Sequence, residues 1–264
     1  MSAQSRHGRL AAVLPGYAGP CRERWLVLHG WGQDASYWTP VARRLAAAGI
    51  ALLCPDLAAL ARSSAAPAGS HARMAGLIGL LAELAARARV SVVLGHSSGA
   101  PPATLLAHEL GAVRELVLLE PLPHQMGVSM SLPPSTPRVR PRTTGPHLRE
   151  HYPFASENTL STITAATPGP PPGAAPPRST EDGDRQAAIR KALHTLPVDL
   201  LLVRGAWSAF LTAAGAGAIL GSVPRAVERV VTGAGHSVHV DQPSALAEVL
   251  AGPRIAAQHG GPQA

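Results

Sequence analysis

Short runs of consecutive apolar residues alternate along this chain with longer stretches whose apolar positions recur every three or four residues. Runs of four to eight apolar residues closed by Gly or Pro read as buried strands. The longer stretches read as helices with one apolar stripe. The strand pattern falls at 25–28, 50–54, 90–94, 115–119, 199–203 and 228–231, and 9–14 reads as an antiparallel edge strand. Helices are expected from about 39, where Thr39 can cap and Pro40 suits the first turn. Others are expected over 70–88, from about 100 to 110, over 208–220 and over 243–250. In the second of these, Met74, Leu77, Leu81 and Leu84 repeat at spacings of three and four. Strand and helix alternating in this way predict an α/β fold with a mostly parallel central sheet flanked by helices.

The alternation breaks between Pro121 and Pro197. That stretch is too long for a simple crossover. It carries Arg138, Arg140, Arg142 and Arg149, a segment dense in Pro and Gly at 168–177, and a short helical pattern over 184–196. The Pro-rich part can form neither helix nor ladder. The expected organisation is a core of residues 1–121 and 197–264, with 122–196 inserted as a lid over the sheet's carboxyl edge.

Composition changes this picture little. Apolar residues make up 46% of the 264 positions and aromatics 3%, so Ala, Val and Leu must build the core. The net charge of +7 leaves an anionic substrate or carrier open. Nucleic acid is not expected, because no zinc motif or basic repeat with interleaved aromatics appears. The apolar runs are too short for a membrane span and that at 10–14 too short for a signal peptide, so a soluble cytoplasmic protein is expected. Cys21 and Cys54 do not make a disulfide framework, and Cys54 falls in a predicted buried strand.

Chemistry concentrates after the strands. Gly95-His96-Ser97-Ser98-Gly99 follows an apolar strand and opens a helix pattern. A sharp strand-to-helix turn crowds the positions two before and two after its serine, so both must be glycine, and it lifts the serine oxygen above the sheet. The pentapeptide alone is weak, but this context makes Ser97 a candidate nucleophile. His236 follows the last strand in a glycine-bearing loop and is the candidate base. His239, three residues on, is the lesser candidate. His29-Gly30-Trp31-Gly32 follows the first central strand. There the backbone N–H groups of Trp31 and Ser98 are candidate oxyanion donors. His29 itself reads as a structural hydrogen-bonding residue.

The order strand–HGWG, strand–PDL, GHSSG, strand–LEP, strand–RG, GAGH resembles the α/β-hydrolase superfamily, over about 25–121 and 197–250. The resemblance implies the α/β-hydrolase fold, a serine nucleophile, a histidine base, an acid partner and an acyl substrate under a variable lid. It implies no metal and no organic cofactor. Two departures stand out. Many relatives continue after PDL with a glycine-rich turn, whereas residues 58–63 here are Ala-Ala-Leu-Ala-Arg-Ser. Most relatives also carry Asp shortly after the strand ending here at Arg204-Gly205, but Ala206-Trp207-Ser208-Ala209-Phe210 holds no carboxylate. A triad histidine without an acid loses tautomer control and imidazolium stabilisation. Glu120 is the candidate acid. It ends the preceding strand at the same sheet edge, a position from which some members of the superfamily supply the acid. Asp199 begins its strand and belongs at the opposite edge. Asp241 reads as a cap for the closing helix, and Glu181, Asp182 and Asp184 lie in the lid.

The leading expectation is a serine hydrolase of an ester or thioester, with a small acyl substrate that is anionic or carrier-bound if the lid arginines bind it. Two alternatives stay open. One is non-hydrolytic chemistry on the same fold (elimination, cyclisation or acyl transfer). The other is a catalytically silent binding relative, motivated by the missing acid at 206–210 and the lost glycines after Asp56. Oligomeric state is not encoded in any motif.

Overall fold

The computed structural model describes residues 11–14, 20–57, 60, 70–128, 152, 154–166 and 183–252. The lid arginines, the Pro-rich segment, Glu181, Asp182 and most of 58–69 lie outside them. The described strands form one seven-stranded sheet: β1 (Ala11–Val13), β2 (Glu23–Leu28), β3 (Ile50–Pro55), β4 (Val92–His96), β5 (Glu115–Leu119), β6 (Asp199–Gly205) and β7 (Ala226–Val231). Their order is β1-β3-β2-β4-β5-β6-β7. Only β1 runs antiparallel, pairing Ala12 with Cys54; the other six are parallel. Parallel strands buried on both faces need apolar side chains at nearly every position, and β3, β4 and β5 are buried throughout.

Alternation along each strand sorts these side chains into two cores. Trp25 and Val27 point to one face, with α1 (Thr39–Ala47) and the closing helix, whose Leu246 and Leu250 join that cluster. Leu26 and Leu28 point to the other. There they meet α2 (Ser70–Ala88), α3 (Ala100–Glu109), α5 (Gly183–His194) and α6 (Ala213–Leu220). Of the segment 122–196, α5 buries Ile189 and Leu193 in this second core, while α4 (Glu157–Ala166) packs from the first face beside the turn Ala35–Trp38. We number the closing helix, Pro243–Ala251, as α7.

Three local expectations need correction. Thr39 does not cap α1. It is the first helical residue, and the side-chain cap nearby is Asp34, which accepts from Ser36 N–H at 2.9 Å for the preceding turn. The helix expected over 208–220 begins only at Ala213 with Thr212 as its cap, because 206–211 form an irregular loop. Asp241 does not cap α7: its Oδ2 accepts the Gly235 N–H at 2.9 Å, and Gln242 occupies the cap position. Among the described residues no helix is long and apolar enough to cross a membrane.

Candidate functional site

All six parallel strands end at one edge, and the loops leaving β2, β4, β5, β6 and β7 meet there. Ser97 occupies the turn between β4 and α3 with φ of +51°. A non-glycine residue in that region carries strain of about 1–3 kcal/mol and persists only where its surroundings hold it. The flanking glycines show why the turn fits. A Cβ at Gly95 would lie 2.6 Å from both Ala103 Cβ and Gly99 O, and one at Gly99 would lie 2.2 Å from the Leu28 carbonyl oxygen. Those contacts press the elbow onto the end of β2. The following loop is equally close, since a Cβ at Gly30 would sit 3.2 Å from Ser97 Cβ. The loop that carries Trp31 therefore lies against the Ser97 turn at Gly30.

Glu120, directly after β5, also has φ of +51°. Its N–H continues the sheet ladder by donating to Val203 O at 2.9 Å. Its side chain is fully buried and meets three donors. Gly205 N–H donates to Oε1 at 2.7 Å, and the Ser208 hydroxyl and His236 Nδ1–H donate to Oε2, the latter at 3.0 Å. Ser97 Oγ–H in turn donates to His236 Nε2 at 3.0 Å. The three residues thus form one continuous line: Ser97, His236, Glu120. With Nδ1–H committed to the carboxylate, the Nε2 lone pair faces the serine proton, which is the tautomer a general base needs.

Competing effects set the charges. Burial dominates and raises the Glu120 carboxyl to about 8, although the Ser208 hydroxyl, the Gly205 amide and the Arg204 guanidinium each pull it down. Hydrogen bonds donated to a carboxylate stabilise its ionised form. Burial pulls the His236 imidazole below its ordinary value and keeps it neutral.

The neighbouring histidines have other tasks. His96 is buried beneath the Ser97 turn; its Nε2–H donates to the His236 carbonyl oxygen at 3.1 Å and ties the His236 loop to β4. Burial holds His96 neutral. Its Nδ1 lies 3.1 Å from Gln33 Oε1. His29 lies with Nδ1 2.9 Å from Gly30 O and accepts from Leu57 N–H at 3.3 Å, so it stitches the loop after β2 to that after β3. His239 stacks on Trp38 with centroids 4.4 Å apart. It is His236 and not His239 that bonds Ser97. Asp199 sits at the opposite edge, paired with Arg225 at 3.0 Å. Asp241 buttresses the base's loop through Gly235, and burial raises its carboxyl to about 6. Cys54 is buried, and burial pushes its thiol up.

Ser208 and the Gly205 amide do not emerge from the sequence reading. One signal was available: Ser208 is the only polar side chain in the run 206–210 that lacks a carboxylate. Among the described residues, no group of three or more His, Cys, Asp or Glu is arranged to hold a metal ion.

A family comparison matches residues 25–249 to the Alpha/beta hydrolase family. Among curated proteins none matches the chain. Several solved structures share its architecture. A thioesterase domain from the curacin biosynthetic pathway is 21% identical with a TM-score of 0.64, covering 88% of this chain and 92% of that one. An esterase from Rhodococcus sp. ECU1013 is 20% identical, TM-score 0.58, covering 91% and 92%. A thermophilic esterase from Thermogutta terrifontis is 18% identical, TM-score 0.59, covering 91% and 90%.

Proposed function

The chain belongs to the alpha/beta hydrolase family, and from that premise we propose that it is a serine hydrolase cleaving an ester or thioester through an acyl-enzyme. The observation that carries this reading is the unbroken hydrogen-bond line from Ser97 Oγ through His236 to Glu120.

In this reaction Ser97 Oγ attacks the substrate carbonyl carbon as His236 Nε2 takes the serine proton. The carbonyl oxygen gains negative charge, which the N–H groups of Trp31 and Ser98 stabilise as backbone donors. Glu120 stabilises the imidazolium formed on His236 and does not itself take the proton. When the tetrahedral intermediate collapses, the imidazolium returns its proton to the leaving oxygen or sulfur. The acyl group stays on Ser97. Water, deprotonated by the same imidazole, then attacks the acyl carbon, and Ser97 leaves with the proton. No metal or organic cofactor takes part in this scheme.

The case for a silent relative rested on the missing carboxylate at 206–210. Glu120 at His236 Nδ1 supplies that carboxylate from the neighbouring strand end. The test is intact-protein mass after incubation with a fluorophosphonate. One adduct on the native chain and none on Ser97→Ala is expected. A folded native chain that stays unlabelled contradicts the reading.

A further inference from the structure

The chain holds only two phenylalanines, and both stand beside the loop that carries His236. Phe210 lies with its ring centroid 4.7 Å from that of His236, tilted by 50°. Phe154 comes from the segment before α4, and its ring edge would be 3.7 Å from a Cβ at Gly235. Trp207 is tied to the same loop through its backbone, whose N–H donates to Ala234 O at 2.9 Å. Three large apolar side chains are exposed among the described residues, and two of them are here: Trp207 at 67% and Phe154 at 45%. The third, Val230, lies on the edge strand β7. Exposed aromatic surface gathered beside a catalytic group marks a ligand site more often than chance scatter does.

Which part of a substrate lies there follows from the chemistry of the step. In the tetrahedral intermediate the oxyanion points at its amide donors. The leaving atom must then face the group that protonates it, which is His236 Nε2. As the carbon–oxygen bond breaks, that proton passes to the departing oxygen and an alcohol is released. Whatever the alcohol carries leaves on the His236 side of Ser97, where Phe210 packs against the imidazole, Phe154 stands beside its loop and the exposed Trp207 lies three residues before Phe210. The residues 205–210 and 233–237 include no Asp, Glu, Lys or Arg, and His236 is their one titratable side chain. An anionic arm or a carrier's acidic surface finds no partner on either segment.

Resting on the serine-hydrolase reading, we infer that Phe154, Phe210 and Trp207 form a leaving-group subsite that selects esters of uncharged, apolar alcohols. The acyl half is bound elsewhere, so the two halves of the substrate are read by different residues.

Two ester series separate these halves. Ethyl, butyl and hexyl acetate lengthen the alcohol at nearly constant leaving-group pKa, so the chemistry stays fixed while the apolar surface grows. Ethyl acetate, butyrate and hexanoate lengthen the acyl chain instead. In the native enzyme, kcat/KM is expected to rise about tenfold from ethyl to hexyl acetate, as partial burial of four added methylenes allows. In Trp207→Ala and Phe154→Ala that ratio should fall to about twofold or threefold, while the hexanoate-to-acetate ratio keeps its native value. Both side chains are exposed, so the fold should tolerate their loss. A flat alcohol series in the native enzyme overturns the inference, as does a variant that loses acyl-chain dependence instead. Fluorophosphonate labelling distinguishes the two failures. An adduct on Ser97 with a flat alcohol series sinks the subsite alone, whereas no adduct and no turnover sink the hydrolase reading and the subsite together.

Discussion

The ends of β5 and β6 lie side by side in the sheet, Leu119 against Val203, yet they serve the base in opposite ways. The end of β5 supplies a carboxylate, Glu120. The end of β6 supplies only donors, the Gly205 amide and the Ser208 hydroxyl, and both go to that carboxylate. The resemblance to the α/β-hydrolase superfamily places the acid after the strand that is β6 here. The comparison teaches that a carboxylate from either strand end can reach His236 Nδ1, and on the proposed reading this reach, rather than the strand, makes Glu120 the acid. Two neighbouring strand ends can reach the same nitrogen. If one provides the charge, the other must provide hydrogen-bond donors, because a buried carboxylate without them would be driven to its neutral form. The two loops are tightly joined to the base's loop as well, since a Cβ at Gly205 would lie 2.2 Å from Gly235 O.

This division of labour can be broken from either side. The first break moves the charge back. The double variant Glu120→Gln/Ser208→Asp should regain at least about tenfold of the turnover lost in Glu120→Gln alone, measured as kcat on one activated ester. Ser208 already meets the oxygen that holds Nδ1, so its position is within reach of the base. If no turnover returns, the two strand ends are not interchangeable. A smaller effect should follow from removing the donor. Ser208→Ala should lower kcat/KM about tenfold near neutral pH, the size of one charge-assisted hydrogen bond. It should also move the acid limb of the pH profile. The active pair has a neutral imidazole and an ionised carboxylate, and the Ser208 hydroxyl stabilises that ionised form. Its loss favours the protonated, inactive pair, so the limb moves to higher pH. Ser208→Thr keeps the hydroxyl and should restore the native limb. A uniform loss at every pH would instead assign Ser208 a purely structural role through its bonds from Phe210 and Leu211 N–H. The smallest effect belongs to Asp199, at the far end of β6. Asp199→Asn breaks a pair with an exposed Arg225, so turnover should be unchanged and stability should shift by less than about 1 kcal/mol. Lost activity there would contradict the assignment of the site to the carboxyl edge.

Much of this was legible in the sequence, and the limits have physical causes. Buried parallel strands show as unbroken apolar runs, so β2 through β6 stand out, and the stripe of α2 marks that helix over its whole span. The Ser97 turn is legible because its geometry demands glycines at 95 and 99. Glu120 adopts the same left-handed φ between Leu119 and Pro121, with no glycine beside it to mark the turn. Only its place at the end of β5 pointed to it. Ser208 left no mark because a hydroxyl that bonds across to another loop has no local periodicity or spacing. The start of α6 was placed too early for the same reason: Ser208 turns its oxygen to the N–H groups of Phe210 and Leu211 and to Glu120, and this holds 206–211 as a loop. The cap assigned to Asp241 failed because its carboxylate is taken by Gly235, a partner that only the folded loop brings near.

The most direct test of the account is kcat for Glu120→Gln, with thermal unfolding measured in parallel. The glutamine keeps the shape of the side chain but presents an amide to His236 Nδ1, which favours the tautomer whose Nε2 already bears a proton. The account predicts a fall in kcat of at least about a thousandfold in a chain that still unfolds cooperatively. Turnover within about threefold of native, in an equally folded chain, would show that Glu120 is not the acid that serves His236.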